Sequence, residues 1–169
     1  MSYITPAQLS NGPEALQELA QLLSVDAALL ALTIAAGNRS AYTVDEIAAA
    51  DAALVSIGNY IARADGEIDA RLAQRGYAVP MSAASFPILV VWAAAITRYH
   101  LSRMRDLTNE QTGRVERDYR EALKALQLVA DGKLSLGAND PLANAQQDTQ
   151  SIQITSNPRL MSRTSLAGL

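Results

Sequence analysis

The chain has 169 residues, a formal net charge of −3 and no cysteine. That length fits one domain with room for an appendage, and such a chain buries about two-thirds of its unfolded surface. The mild charge argues against a strongly basic nucleic-acid binder, and the lack of cysteine excludes disulfides, cysteine nucleophiles and zinc–cysteine or iron–sulfur sites.

The opening residues Met1-Ser2-Tyr3-Ile4 carry neither the basic start nor the apolar run of a secretory signal. Thr5 followed by Pro6 reads as an N-cap with proline in the first turn. Pro13 to Leu23 places Leu16, Leu19, Leu22 and Leu23 at helical spacing. Asp26 can cap a short helix running through Ala36, and Gly37-Asn38 supplies the stop.

The clearest helix starts at Thr43, which forms a capping-box pattern with Glu46. Ile47, Leu54, Ile57, Ile61, Ile68 and Leu72 then mark one face of a helix reaching about Gln74. At 1.5 Å per residue it is roughly 45 Å long. Gly58 and Gly66 either mark a bend or a close helix contact or, on the plainer reading, are tolerated interior glycines.

Arg75 to Pro80 is a linker, extended before the proline. The uncharged stretch Gly76 to Thr97 is broken by Pro80 and Pro87, and its continuous apolar part is only Ile88 to Ile96. A span needs about 20 apolar residues, so this is a buried core helix. The helix is predicted from Pro87 to about Arg105, with Ile88, Val91, Trp92, Ala95, Ile96 and Tyr99 inward. A polar loop, Thr108 to Gly113, precedes a helix over Arg114 to Ala130 that packs Val115, Tyr119, Leu123, Leu126 and Val129. Asp131-Gly132 ends it.

From Ala138 the composition turns polar, and large apolar residues become sparse. Such a segment cannot form its own core and reads as an extended arm or a disordered tail. Ser151 to Ser156 alternates polar residues with isoleucine, a pattern that can add as a strand to a partner. The end, Arg159-Leu160-Met161-Ser162-Arg163 through Leu166 and Leu169, returns to apolar and arginine residues after a polar spacer. Those are the anchors that suit docking to a partner. The fold class is therefore all-α: a small helical bundle with one long helix over residues 1–137, and an extended C-terminal arm over 138–169.

Several chemical patterns can be weighed against plainer readings. Asp65-Gly66-Glu67-Ile68-Asp69 places its glycine four positions too early for a calcium loop, and helix periodicity runs through it. Asp65 and Asp69 read as a solvated helix face, and Glu67 with Arg71 as a surface i,i+4 pair. His100 is the sole histidine; with no cysteine it makes a transition-metal site a poor reading. Neither phosphate-loop nor dinucleotide fingerprints occur. The expectation is a protein that is not an enzyme, with no catalytic, cofactor or metal residues.

Arg98, Arg103, Arg105, Arg114, Arg117, Arg120 and Lys124 could offer a basic surface to DNA or to an acidic protein partner. Helix-end placement and the pairs Glu116–Arg120 and Arg117–Glu121 give the plainer account. A helical DNA-binding regulator is the alternative function. Tyr3 and Tyr77 stand out as aromatics outside the helices.

Four stretches together carry a resemblance. They are Met1 through Leu9; Ile61 through Pro80, with Glu67-Ile68-Asp69 and Tyr77-Ala78-Val79-Pro80; Glu116 through Gly137, with Tyr119, Ala122-Leu123 and Gly132-Lys133-Leu134-Ser135-Leu136-Gly137; and Met161 through Leu169. In this order they resemble the head–tail adaptor (connector, or head-completion) proteins of Mu-like tailed bacteriophages and prophages. The stretch Ser24 to Ala50 departs from that pattern.

The resemblance implies an all-α virion protein, made in the host cytoplasm, that forms a homo-oligomeric ring, twelvefold by expectation, under the portal protein. Such a ring extends the DNA channel. It presents a surface to the next neck, stopper or tail-completion protein, and it lets double-stranded DNA pass without sequence-specific binding. It implies no enzyme activity, no cofactor and no membrane partner. It also implies a portal-docking role for the matching chain end: Arg159, Leu160, Met161, Arg163, Leu166 and Leu169. The net negative charge of the helical part suits a lumen that DNA slides past.

Overall fold

The computed structural model describes residues 2–103 and 109–137. Within them six α-helices follow in order: α1 Pro6–Leu9, α2 Pro13–Leu23, α3 Ala27–Ile34, α4 Val44–Arg75, α5 Pro87–Ser102 and α6 Asn109–Ala130. No strand occurs among the described residues. The fold is all-α, as the sequence predicts. The arm from Ala138 onward, with the Ser151–Ser156 alternation, lies outside the described residues.

The local signals set the helix starts. Thr5 caps α1 and forms a capping box with Gln8. The Asp26 carboxylate accepts from the Leu29 amide, 2.9 Å, at the head of α3. Thr43 and Glu46 close the capping box of α4: the Thr43 amide donates to Glu46 Oε2 at 2.8 Å. That bond and the Thr43 hydroxyl hold the Glu46 carboxyl below its usual pKa. Each box satisfies amides that the first helical turn would leave without partners.

α4 is 32 residues long, about 48 Å. It is the spine of the fold: α5, α6 and α3 pack on it, α5 and α6 pack on each other, and α2 packs on α3. Its inward face comprises Ala50, Ala53, Ile57, Ile61, Ala64, Ile68 and Leu72. Ile47 and Leu54 of the predicted stripe are only half-buried. Gly58 and Gly66 face open space, which fits tolerated glycines rather than a close helix contact. Gly76 ends α4 in the left-handed conformation (φ 92°), which glycine adopts without a Cβ clash.

Besides α5 ending at Ser102 rather than near Arg105, three boundaries or faces differ from the sequence reading. α3 stops at Ile34, and the left-handed residue after it is Ala36 (φ 52°), not Gly37. Asn109 to Gly113 is helix rather than loop. A Cβ at Gly113 would meet nothing within 4 Å, so a glycine there lowers propensity without breaking the helix.

The third difference is the inward face of α5. It buries Leu89, Trp92, Ala93, Ile96, Thr97, His100 and Leu101, while Ile88 and Val91 are 42% and 60% exposed. Ala95 and Tyr99 are half-buried. Residues 88–96 are apolar on every side, so periodicity alone could not choose the face that meets α4. No single helix among the described residues is long and apolar enough to cross a membrane.

Candidate functional site

Tyr3 and Tyr77, both outside the helices, act as staples. Tyr3 is 2% exposed, and its hydroxyl donates to the Asp69 carboxylate while accepting from the Met81 amide at 3.1 Å. Its own amide donates to Asp65 Oδ1 at 3.2 Å. One side chain thus ties the N-terminal segment to the C-terminal part of α4 and to the α4–α5 linker. Burial first, and the Asp69 bond second, push the Tyr3 hydroxyl pKa well above its ordinary 10.0. Burial likewise raises Asp65, partly offset by hydrogen bonds from Ser2 and Tyr3.

Asp65 and Asp69 are therefore anchors for residues sixty positions away, not a solvated face. Continuous helix through both also leaves no calcium-type loop. Tyr77 is the second staple: it is buried, and its hydroxyl accepts from the Leu136 amide at 3.2 Å. That bond fixes the segment after α6, where Gly132 takes φ 74° to end the helix as predicted.

A polar cluster sits where α4, α5 and α6 meet. His100 is 6% exposed, and its Nε2 lies 2.7 Å from Glu67 Oε1. Arg63 Nε lies 3.8 Å from the same carboxylate oxygen, and Arg71 Nη1 donates to the Glu67 carbonyl at 2.8 Å. Tyr119 stacks on Tyr99, with centroids 3.8 Å apart and planes 6° apart, and lies edge-on to His100. Burial raises the Tyr119 hydroxyl pKa, and the Glu67 charge adds to the shift. Glu67 is thus part of a half-buried link between α4 and α5 rather than a surface i,i+4 residue; its side chain is 25% exposed. Satisfied in this way, the cluster specifies helix register, as buried polar networks do.

A groove of about 570 Å³ opens between α5 and α6. Ala94 and Ala95 on α5 face Ala122 and Ala125 on α6, and these short side chains leave the volume unfilled. Val90, Val91, Trp92, Val115 and Ile4 add to the apolar lining, and Arg98, Asp118 and Glu121 also border the groove. A second, more polar depression adjoins it through Arg98, Val115 and Asp118, and adds Glu14, Glu18 and Arg114. Grooves of this size and lining suit an apolar side-chain cluster from another segment. Its signal in the sequence is the alanine run 93–95 beside exposed Val91, which inward assignment of Val91 and Ala95 conceals.

The expected basic surface does not form a uniform patch among the described residues. Arg98 is half-buried and donates to the Leu9 carbonyl at 3.4 Å. Arg114, Arg117, Arg120 and Lys124 are exposed along α6, interleaved with acidic residues. Arg120 Nη2 lies 2.7 Å from Glu116 Oε2, the predicted pair. Arg105 lies outside the described residues, as do all six expected docking residues: Arg159, Leu160, Met161, Arg163, Leu166 and Leu169.

Comparison with known proteins gives one positive finding. Residues 3–154 match the family described as Bacteriophage Mu, Gp36. The match takes in every described helix and extends into the arm. Neither the curated proteins nor the solved structures contain a match. The chain belongs to the bacteriophage Mu Gp36 family and is a phage structural or morphogenesis protein, virion-associated and made in the host.

Proposed function

We propose that this protein is the head–tail adaptor of a Mu-like phage or prophage. Copies assemble into a ring, twelvefold by expectation, beneath the portal protein. The ring lengthens the DNA channel and offers the attachment surface for the next neck or tail-completion protein. Double-stranded DNA passes through it without sequence-specific binding, and the protein performs no catalysis. Its place in the virion is the neck.

The observation that carries this reading is the family match over residues 3–154. The fold is compatible in kind. A helical body stapled at both ends by Tyr3 and Tyr77 is followed by 32 residues, 138–169, whose last part bears apolar and arginine anchors. In the proposal those anchors, Arg159 through Leu169, dock on the portal. The alternative, a DNA-binding regulator, draws less support because the arginines of α6 alternate with Glu116, Asp118 and Glu121.

The test is binding of two chains to purified portal rings: the full chain and one stopped after Asn157. The full chain is expected to bind and the shortened one to fold with an unchanged melting temperature but fail to bind. Equal binding by both would remove the docking role. Duplex DNA binding that weakens steeply with salt would favour the regulator instead.

A further inference from the structure

We propose that the α5–α6 groove is the resting seat of the chain's own C-terminal segment, residues 159–169. The groove has an apolar lining in which Val91 is 60% exposed. The segment supplies matching groups in Leu160, Met161, Leu166 and Leu169.

Charge selects this segment further. The groove and its adjoining depression carry Asp118, Glu121, Glu14 and Glu18 against Arg98 and Arg114, an acidic balance. Residues 159–169 carry Arg159 and Arg163 and no Asp or Glu side chain. Oppositely charged rims orient a docked segment and discriminate against wrong ones.

Tether length selects the same chain over a neighbour. Twenty-one residues separate Gly137 from Arg159. A coil of that many residues spans about 25 Å root-mean-square. The groove residues of α6, Val115 to Ala125, lie five to fifteen residues before Ala130. At 1.5 Å per residue that is about 8–22 Å back along the helix. A tether matched to its span gives an effective concentration in the millimolar range, above that of a second copy in dilute solution. Resting upon the portal-docking reading above, the seat would cover the apolar anchors until portal competes for them.

The absence of native cysteine makes the test clean. Two double variants of the full chain are compared: Val91→Cys with Met161→Cys, and Val55→Cys with Met161→Cys. Val55 is an exposed apolar position on α4 outside the groove. The rate of cross-linking by a short bismaleimide is followed by mass spectrometry. The expected result is an intrachain cross-link several-fold faster from Val91 than from Val55. It should be independent of protein concentration and slow to the Val55 rate when Asp118→Lys and Glu121→Lys are added.

Equal rates from the two positions, or no effect of the charge reversals, would overturn the seat. A rate that rises with protein concentration would overturn it in favour of a second copy as the occupant. The portal assay separates the two claims. Portal binding lost on truncation, with equal cross-linking rates, retires the seat and keeps the docking. A preferred Val91 cross-link in a chain that ignores portal does the reverse.

Discussion

Replacing Tyr3 by phenylalanine isolates the hydroxyl that holds the N-terminal segment in place. The ring stays, and with it the packing of a side chain only 2% exposed. What is lost is the donor to the Asp69 carboxylate and the acceptor for the Met81 amide. A hydrogen bond to a charged group contributes about 1.5–3 kcal/mol and a neutral one about 0.5–1.5. Asp69 is half-exposed, so water recovers part of the loss. The net expectation is destabilisation by about 2 kcal/mol. For a chain of this size that lowers the melting temperature by roughly 4–8 °C.

Urea and thermal unfolding of Tyr3→Phe, Asp69→Ala and the double variant form a cycle whose coupling should be about 1 kcal/mol or more. The pH dependence has a definite sign. The hydroxyl pKa is raised in the folded state, so the folded form retains the proton where the unfolded form has lost it. The stabilisation is complete below pH 10 and is lost as pH rises through the folded value. Tyr3→Phe should therefore flatten the alkaline limb of the stability curve. A melting temperature within about 1 °C of the parent, with zero coupling to Asp69, would refute the staple.

Other predictions test the body of the fold. Gly58→Ala should stabilise by about 0.5–1 kcal/mol in urea unfolding, since the new methyl faces open space on a helix. Gly132→Ala should instead destabilise by about 1–2 kcal/mol, because φ is 74° and the methyl would fall on the Arg75 guanidinium. Thr97 is fully buried and its hydroxyl has no hydrogen-bond partner, so Thr97→Val should raise stability by about 1 kcal/mol in thermal unfolding. Glu67→Leu should cost about 1–3 kcal/mol by stranding the His100 ring nitrogen, whereas Glu67→Gln should recover most of that loss. Equal unfolding midpoints for those two variants would count against the link between α4 and α5.

Features set by nearby residues were legible in the sequence. Thr43 with Glu46, Asp26 before α3, and the isoleucine steps of α4 each depend on groups within one or two turns. Partners far along the chain were not. Asp65 and Asp69 look like any exposed helical carboxylates until Tyr3 arrives from 62 and 66 positions away. Glu67 pairs in sequence with Arg71, yet its carboxylate meets His100 on another helix. The facing of α5 failed for a different reason. A helix apolar all round carries no signal for which side the bundle will cover, and the exposed side became a wall of the groove. The turns Asn109 to Gly113 read as loop because polar residues and glycine favour loops only weakly, and packing of the rest of α6 overrides that preference.

Electron microscopy of particles made by a phage lacking this gene decides the adaptor assignment. As a head–tail adaptor, the protein's loss should leave DNA-filled or leaking heads beside separate, unattached tails. Restoring the full chain in trans should rejoin them, and the chain stopped after Asn157 should not. Intact, infectious particles in its absence would contradict the adaptor assignment.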